Sequence, residues 1–183
     1  MPGKNAPGGW ASLLAGIATV FMIAVMVKSG APLKTSVTPA GILHLEFAYT
    51  ADQVQHVLAA WPSGQNSFLI NPARLNTWLD FAFILSYAIL LYQLCLWIAF
   101  NYPKLYVIGK WMATSSLAAG ALDVLENVGM LWSISGSISE TNSIFTFTCA
   151  AMKWLIVIFV LVFILVGTIA ILVKKRISRH RPS

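Results

Sequence analysis

Four long apolar runs dominate the chain: Trp10–Val27, Trp78–Phe100, Trp111–Trp132 and Trp154–Val173, each of 18 to 23 residues. A helix needs ~20 predominantly apolar residues to cross a bilayer. Every run opens on a tryptophan, the residue that anchors helix ends at the headgroup level. The pattern predicts spanning helices over about 10–27, 78–100, 107–133 and 146–173. Short polar connections make neighbouring helices antiparallel. The expected fold is an all-α membrane protein, a four-transmembrane-helix bundle in a single membrane domain over residues 1–183. The first run is read as a retained helix rather than a removable signal. It exceeds the usual apolar length of ~7–15 residues, and the "KSGAPL" after it makes a poor cleavage site.

Between the first two runs lies an outer segment, residues 28–77. Its start, "SGAPLKTSVTPAG", is rich in Gly, Pro, Ser and Thr and reads as extended. Thr50 followed by Gln53 fits a capping box, so a short amphipathic helix is expected from about Ala51. Val54, Val57, Leu58 and Trp61 form its apolar stripe at helical spacing. A helix this short is expected to lie on the membrane surface or on the helix ends. "SGQNSFLINPARLN" links it to the second run, "NYPK" makes a tight turn, and "SISGSISETNS" reads as a flexible connection.

Composition agrees with a lipid solvent: 58% of residues are hydrophobic and 10% charged, against ~25% charged in soluble domains. With both termini inside, eight basic residues fall on the inner side: Lys4, Lys104, Lys110, Lys174, Lys175, Arg176, Arg179 and Arg181. Four fall outside: Lys28, Lys34, Arg74 and Lys153. The positive-inside rule therefore predicts a multi-pass cell-membrane protein with both termini cytoplasmic. The net charge of +6 comes largely from the basic C-terminal tail. That tail reads as a topology signal that also meets anionic lipid; nothing else points to nucleic acid. Cys95 and Cys149 fall near opposite ends of their helices, too far apart for a disulfide.

One stretch breaks the apolar pattern. "ALDVLENVGML" carries Asp123, Glu126 and Asn127 inside the third run. A carboxylate at the bilayer centre costs at least ~2.5 kcal/mol. On a helical wheel these three share one ~100° arc with Ser116, Ala119, Gly120 and Met130. Ser116-x-x-x-Gly120 is a small-xxx-small pair that lets helices approach, so the polar face is expected to point into the bundle. On the second helix, Asp80 and Tyr87 share a face. At ~1.5 Å per residue, Asp80 sits ~3 Å below the outer surface, Glu126 ~9 Å, and Tyr87 and Asp123 ~14 Å. Lys153 is expected near the outer interface, forming a mouth with Asp80. No basic residue is then expected at the depth of Asp123 and Glu126, so the two acids would share a proton or a bound cation. Asp80 paired with Lys153 or Arg74 is the purely structural alternative. Glu46, within "ILHLEFAY", is a candidate to dip toward the site. Asp52 and His56, four apart on the surface helix, read as an ordinary solvated pair rather than metal ligands.

The stretches "GILHLEFAYTADQVQHVLAAW", "WLDFAFILSY" and "GALDVLENVGML" resemble a family of small bacterial four-helix membrane proteins. The resemblance implies the same fold in a bacterial inner membrane and singles out the same acids; it carries no catalytic assignment. HExxH, GxSxG, GxxxxGK[ST] and CxxC are all absent from the sequence. The expected function is an outward-open acidic intramembrane site for a small cation or an amphiphile head group. Its expected ligand-binding residues are Asp123, Glu126, Asn127, Asp80, Tyr87 and Lys153, with membrane lipids as partners. Two alternatives stand beside it: an accessory subunit with membrane-protein partners, and an intramembrane enzyme acting on a lipid or isoprenoid.

Overall fold

A computed structural model describes residues 9–61 and 71–179; Lys4, Arg181 and most of the linker before Asn71 lie outside the described residues. Six α-helices occur among them: α1 (Gly9–Gly30), α2 (Leu43–Glu46), α3 (Ala51–Ala59), α4 (Pro72–Asn101), α5 (Tyr106–Ile134) and α6 (Glu140–Arg179). Four of these, α1, α4, α5 and α6, are long and apolar enough to cross a membrane, so the chain is a multi-pass membrane protein folded as a four-helix bundle. α1 and α5 end, and α4 and α6 begin, at the same end of the bundle, where α2 and α3 also sit. We call this the loop end.

Two helices start earlier than the apolar runs. α4 begins at Pro72, because Asn71 Oδ1 accepts from the backbone N–H groups of Ala73 (2.9 Å) and Arg74 (3.3 Å), and proline suits the first helical turn. α6 begins at Glu140, with Ser139 Oγ accepting from Asn142 N–H at 3.2 Å. Most of the expected flexible connection is therefore helix. The true turn is short: Gly136, at φ +98°, donates to Ser133 O while Ser137 donates to Trp132 O. This pair of bonds needs a left-handed residue after the helix, which glycine adopts without strain. At 40 residues α6 is ~60 Å long, well beyond a ~30 Å hydrocarbon core.

α4, α5 and α6 pack against one another, and α1 packs against α4 alone among the long helices. The contacts depend on small side chains. A Cβ on Gly120 would sit 3.1 Å from Ala88 Cβ, and one on Gly109 would sit 2.7 Å from Ala99 Cβ. Gly129 lies so close to Thr146 that no side chain fits between them. Without a hydrophobic drive between helices in lipid, such close packing is what associates them. α1 is pinned by Asn76, whose Nδ2 donates to Met26 O (3.2 Å) and Ser29 Oγ (2.7 Å).

The loop end is closed by a small apolar core: Leu33, Leu45, Ala48, Val54, Val57, Trp61, Ala73 and Met130. The stripe on α3 is thus spent on the helix ends. Thr50 caps α3 through Gln53 N–H at 3.2 Å, and the Gln53 side chain returns to Tyr49 N–H at 3.0 Å. Trp61 Nε1 donates to Leu33 O (2.9 Å) and Thr38 Oγ1 (3.0 Å), tying the end of α3 to the turn after α1.

Candidate functional site

The spacing i, i+3, i+4 puts Asp123, Glu126 and Asn127 on one side of α5. That side also carries Ser116, Ala119, Gly120 and Met130, all buried. It therefore faces α4 and α6 rather than lipid. Glu126 and Asn127 are completely buried. Asp80 and Tyr87, seven residues apart, come from the facing side of α4.

Lys153 is the centre of the arrangement. Its ammonium Nζ lies 2.7 Å from Glu126 Oε2, 2.8 Å from Asp123 Oδ1 and 3.4 Å from Glu46 Oε2. The side chain is only 8% exposed. This overturns the expectation that Lys153 sits at the interface and that no basic group reaches the acids. The cause is the early start of α6: Lys153 is thirteen residues beyond Glu140, ~20 Å along the helix. Asp123 and Glu126 are accordingly neutralised in part by an ammonium and are not a bare acid pair.

The remaining contacts form a second layer. Asp123 Oδ2 accepts from the Tyr87 hydroxyl at 2.7 Å. Glu46 Oε2 accepts from the Trp154 indole at 3.2 Å. Asp80 Oδ2 accepts from Asn127 Nδ2 at 2.8 Å. Asp80 pairs with neither Lys153 nor Arg74; Arg74 is exposed, and the ion pairs among the described residues all belong to Lys153. The structure thus brings all six sequence-predicted site residues, Asp80, Tyr87, Asp123, Glu126, Asn127 and Lys153, together, with the Asp80–Asn127 pair beside the group centred on Lys153. It adds Glu46 as a full member. Trp154 is a contributor that its position at the head of an apolar run disguised as an interface anchor.

Charge and hydrogen bonding are both unbalanced here. Of the chain's six acidic residues, Glu46, Asp123 and Glu126 meet at one lysine, and a fourth, Asp80, lines the cavity beside it. Glu126 Oε1 and Asn127 Oδ1 are buried with no hydrogen-bond partner. Buried acceptors normally find donors. Alongside lies a cavity of about 390 Å³ between α1, α4 and α6. Glu46, Asp80, Asp123 and Lys153 line its polar end, and Leu90, Leu91, Val157 and Leu161 line the rest.

Asp52 and His56 are exposed and sit elsewhere, in an open groove that His44 also lines. Among the described residues no cluster of three or more His, Cys, Asp or Glu side chains has an arrangement that could hold a metal ion. Cys95 and Cys149 are both buried and free. No protein-family model, curated protein or solved structure matches the chain, so any assignment stands on this geometry.

Proposed function

We propose that the protein binds a small cation or the head of an amphiphile at an acidic site within the membrane. The observation that carries this reading is that three carboxylates, Glu46, Asp80 and Asp123, share the wall of a cavity with one ammonium, and Asp80 makes no ion pair. A charge-balanced structural network needs one acid per lysine. The surplus acids accept a positively charged or donor-rich guest, and burial strengthens that attraction by lowering the local dielectric. We place the protein in a bacterial inner membrane with both termini cytoplasmic. The loop end and its cap of α2 and α3 then face outward, and the site opens to the outer half of the bilayer.

The Tyr87–Asp123–Lys153 chain, with links of 2.7 and 2.8 Å, also favours a second reading. A hydroxyl, a carboxylate and an ammonium in contact can move a proton to or from a lipid or isoprenoid substrate. The two readings separate in one experiment. The purified protein in lipid nanodiscs is titrated with sodium, potassium, magnesium and calcium chlorides and with co-extracted lipids, and thermal unfolding is followed. Stabilisation by a cation or by a lipid recovered unchanged supports binding. A recovered lipid that turns over supports the enzyme. If Asp80→Asn behaves as the parent with every addition, the cluster is not the binding site.

A further inference from the structure

Resting on the binding reading above, we infer that the ligand is an amphiphilic amine. Its protonated primary or secondary head sits among Glu46, Asp80 and Asp123, and its hydrocarbon chain lies between α1 and α6. Three features of the site point to this class.

The first is the charge at the cavity wall. Glu46, Asp80 and Asp123 line its polar end against one lysine, and Asp80 makes no ion pair. An ammonium supplies positive charge and several N–H donors and carries no acceptor. An anionic or acceptor-rich head would worsen the imbalance. Lys153 offers no counterweight, since three carboxylates occupy it.

The second is the shape. The polar end of the cavity continues into an apolar slot along α4 and α6. From Lys153 to Leu161 is eight residues, ~12 Å along the helix. A bare metal cation has no use for such a slot. It would also need six or more oxygens gathered round one point, whereas Lys153 already holds the point where Asp123, Glu126 and Glu46 meet.

The third is access. α1 packs on α4 and makes no substantial contact with α6, so the slot between them is open on the lipid side. An amphiphile can enter laterally with its head already at the right depth. Ile23 and Thr19 of α1 complete the wall.

The test uses the full chain in phosphatidylcholine nanodiscs and three probes: dodecylamine, butylamine and dodecanol. Dodecylamine is expected to raise the melting temperature by at least ~4 °C near saturation, while butylamine and dodecanol leave it unchanged. Two variants complete the test. Asp80→Asn keeps the shape and removes a carboxylate that makes no ion pair. Val157→Trp keeps every charge and fills the slot one turn below Lys153. Both are expected to lose the dodecylamine response. An equal response to butylamine overturns the inference and leaves the broader cation-site reading standing. Equal responses to dodecylamine in parent and both variants show membrane partitioning alone and overturn it. No response to either amine, nor to the metal chlorides, overturns both readings. If Asp80→Asn fails to fold, Val157→Trp decides alone: a retained dodecylamine response overturns the inference.

Discussion

Replacing Lys153 with methionine tests the central claim about the site, that one ammonium holds an overcharged cluster together. Methionine keeps the length and the unbranched stem. It deletes contacts at 2.7, 2.8 and 3.4 Å to Glu126, Asp123 and Glu46. Glu126 is then a fully buried carboxyl with no partner at all. Removing one member of a buried ion pair costs ~3–5 kcal/mol, because the other charge stays behind unpaired. For a chain of this size each kcal/mol moves the melting temperature by ~2–4 °C, so a fall of ~6–20 °C is expected in nanodiscs. The neutral triple variant, Lys153→Met with Asp123→Asn and Glu126→Gln, separates this cause from lost packing. Neutral groups of similar shape replace a buried ionic network at little cost, so the triple variant should recover most of the loss. A single variant that loses less than ~1 kcal/mol would refute the reasoning. So would a triple variant as unstable as the single one.

Three further outcomes are expected. Gly129→Ala should destabilise the α5–α6 contact by ~1–3 kcal/mol through overpacking against Thr146, and adding Thr146→Ala should relieve it in the same unfolding assay. Trp61→Ala removes a buried indole with two hydrogen bonds, at ~3–5 kcal/mol; hydrogen exchange across residues 51–61 should accelerate, and an unchanged profile would show that the cap does not depend on it. In a background lacking Cys95 and Cys149, a membrane-impermeant thiol reagent applied to intact cells should label a cysteine at Ser139 but not one at Ser183, which lies outside the described residues. The reverse pattern would invert the proposed topology.

Hydropathy was sufficient to find the four spanning helices, because their lipid-facing sides are apolar over whole turns. It was blind to where α4 and α6 begin. The first turns of both are polar, and their starts depend on single capping side chains, Asn71 and Ser139. Within α6, Ser143 and Thr146 are buried against the bundle, so a polar sequence there means an inner face and not a loop. That error of register displaced Lys153 from the centre of the cluster to its rim. The α5 face was legible from spacing alone, and Tyr87 met Asp123 as equal depth predicted. Glu46 had no such signal. It lies on a helix of four residues, too short for any periodicity, and its position depends on how the loop end folds back over α5 and α6.

Contacts outside this cluster also hold the helices together. α4 and α5 meet through Gly120 on Ala88 and Gly109 on Ala99, α6 meets α5 through Gly129 and Thr146, and α1 is held by Asn76. These are the close contacts and neutral hydrogen bonds that pack helices in lipid. An ionic network adds little to such a bundle, since apolar residues of similar volume commonly serve as well or better. If Lys153 served only to satisfy an acid, one carboxylate would be enough, and each of the others adds desolvation cost and mutual repulsion. A proton offsets part of that cost, and a positively charged or donor-rich guest offsets it as well. That reasoning also explains where the surplus lies. Asp80, the one acid of the cluster without an ion pair, is on the cavity wall with Glu46 and Asp123, whereas Glu126, the most deeply buried, is off that wall and in contact with the ammonium. The charge left without an ion pair within the cluster is therefore at the cavity wall, on Asp80, where a guest can reach it, and not at the buried back.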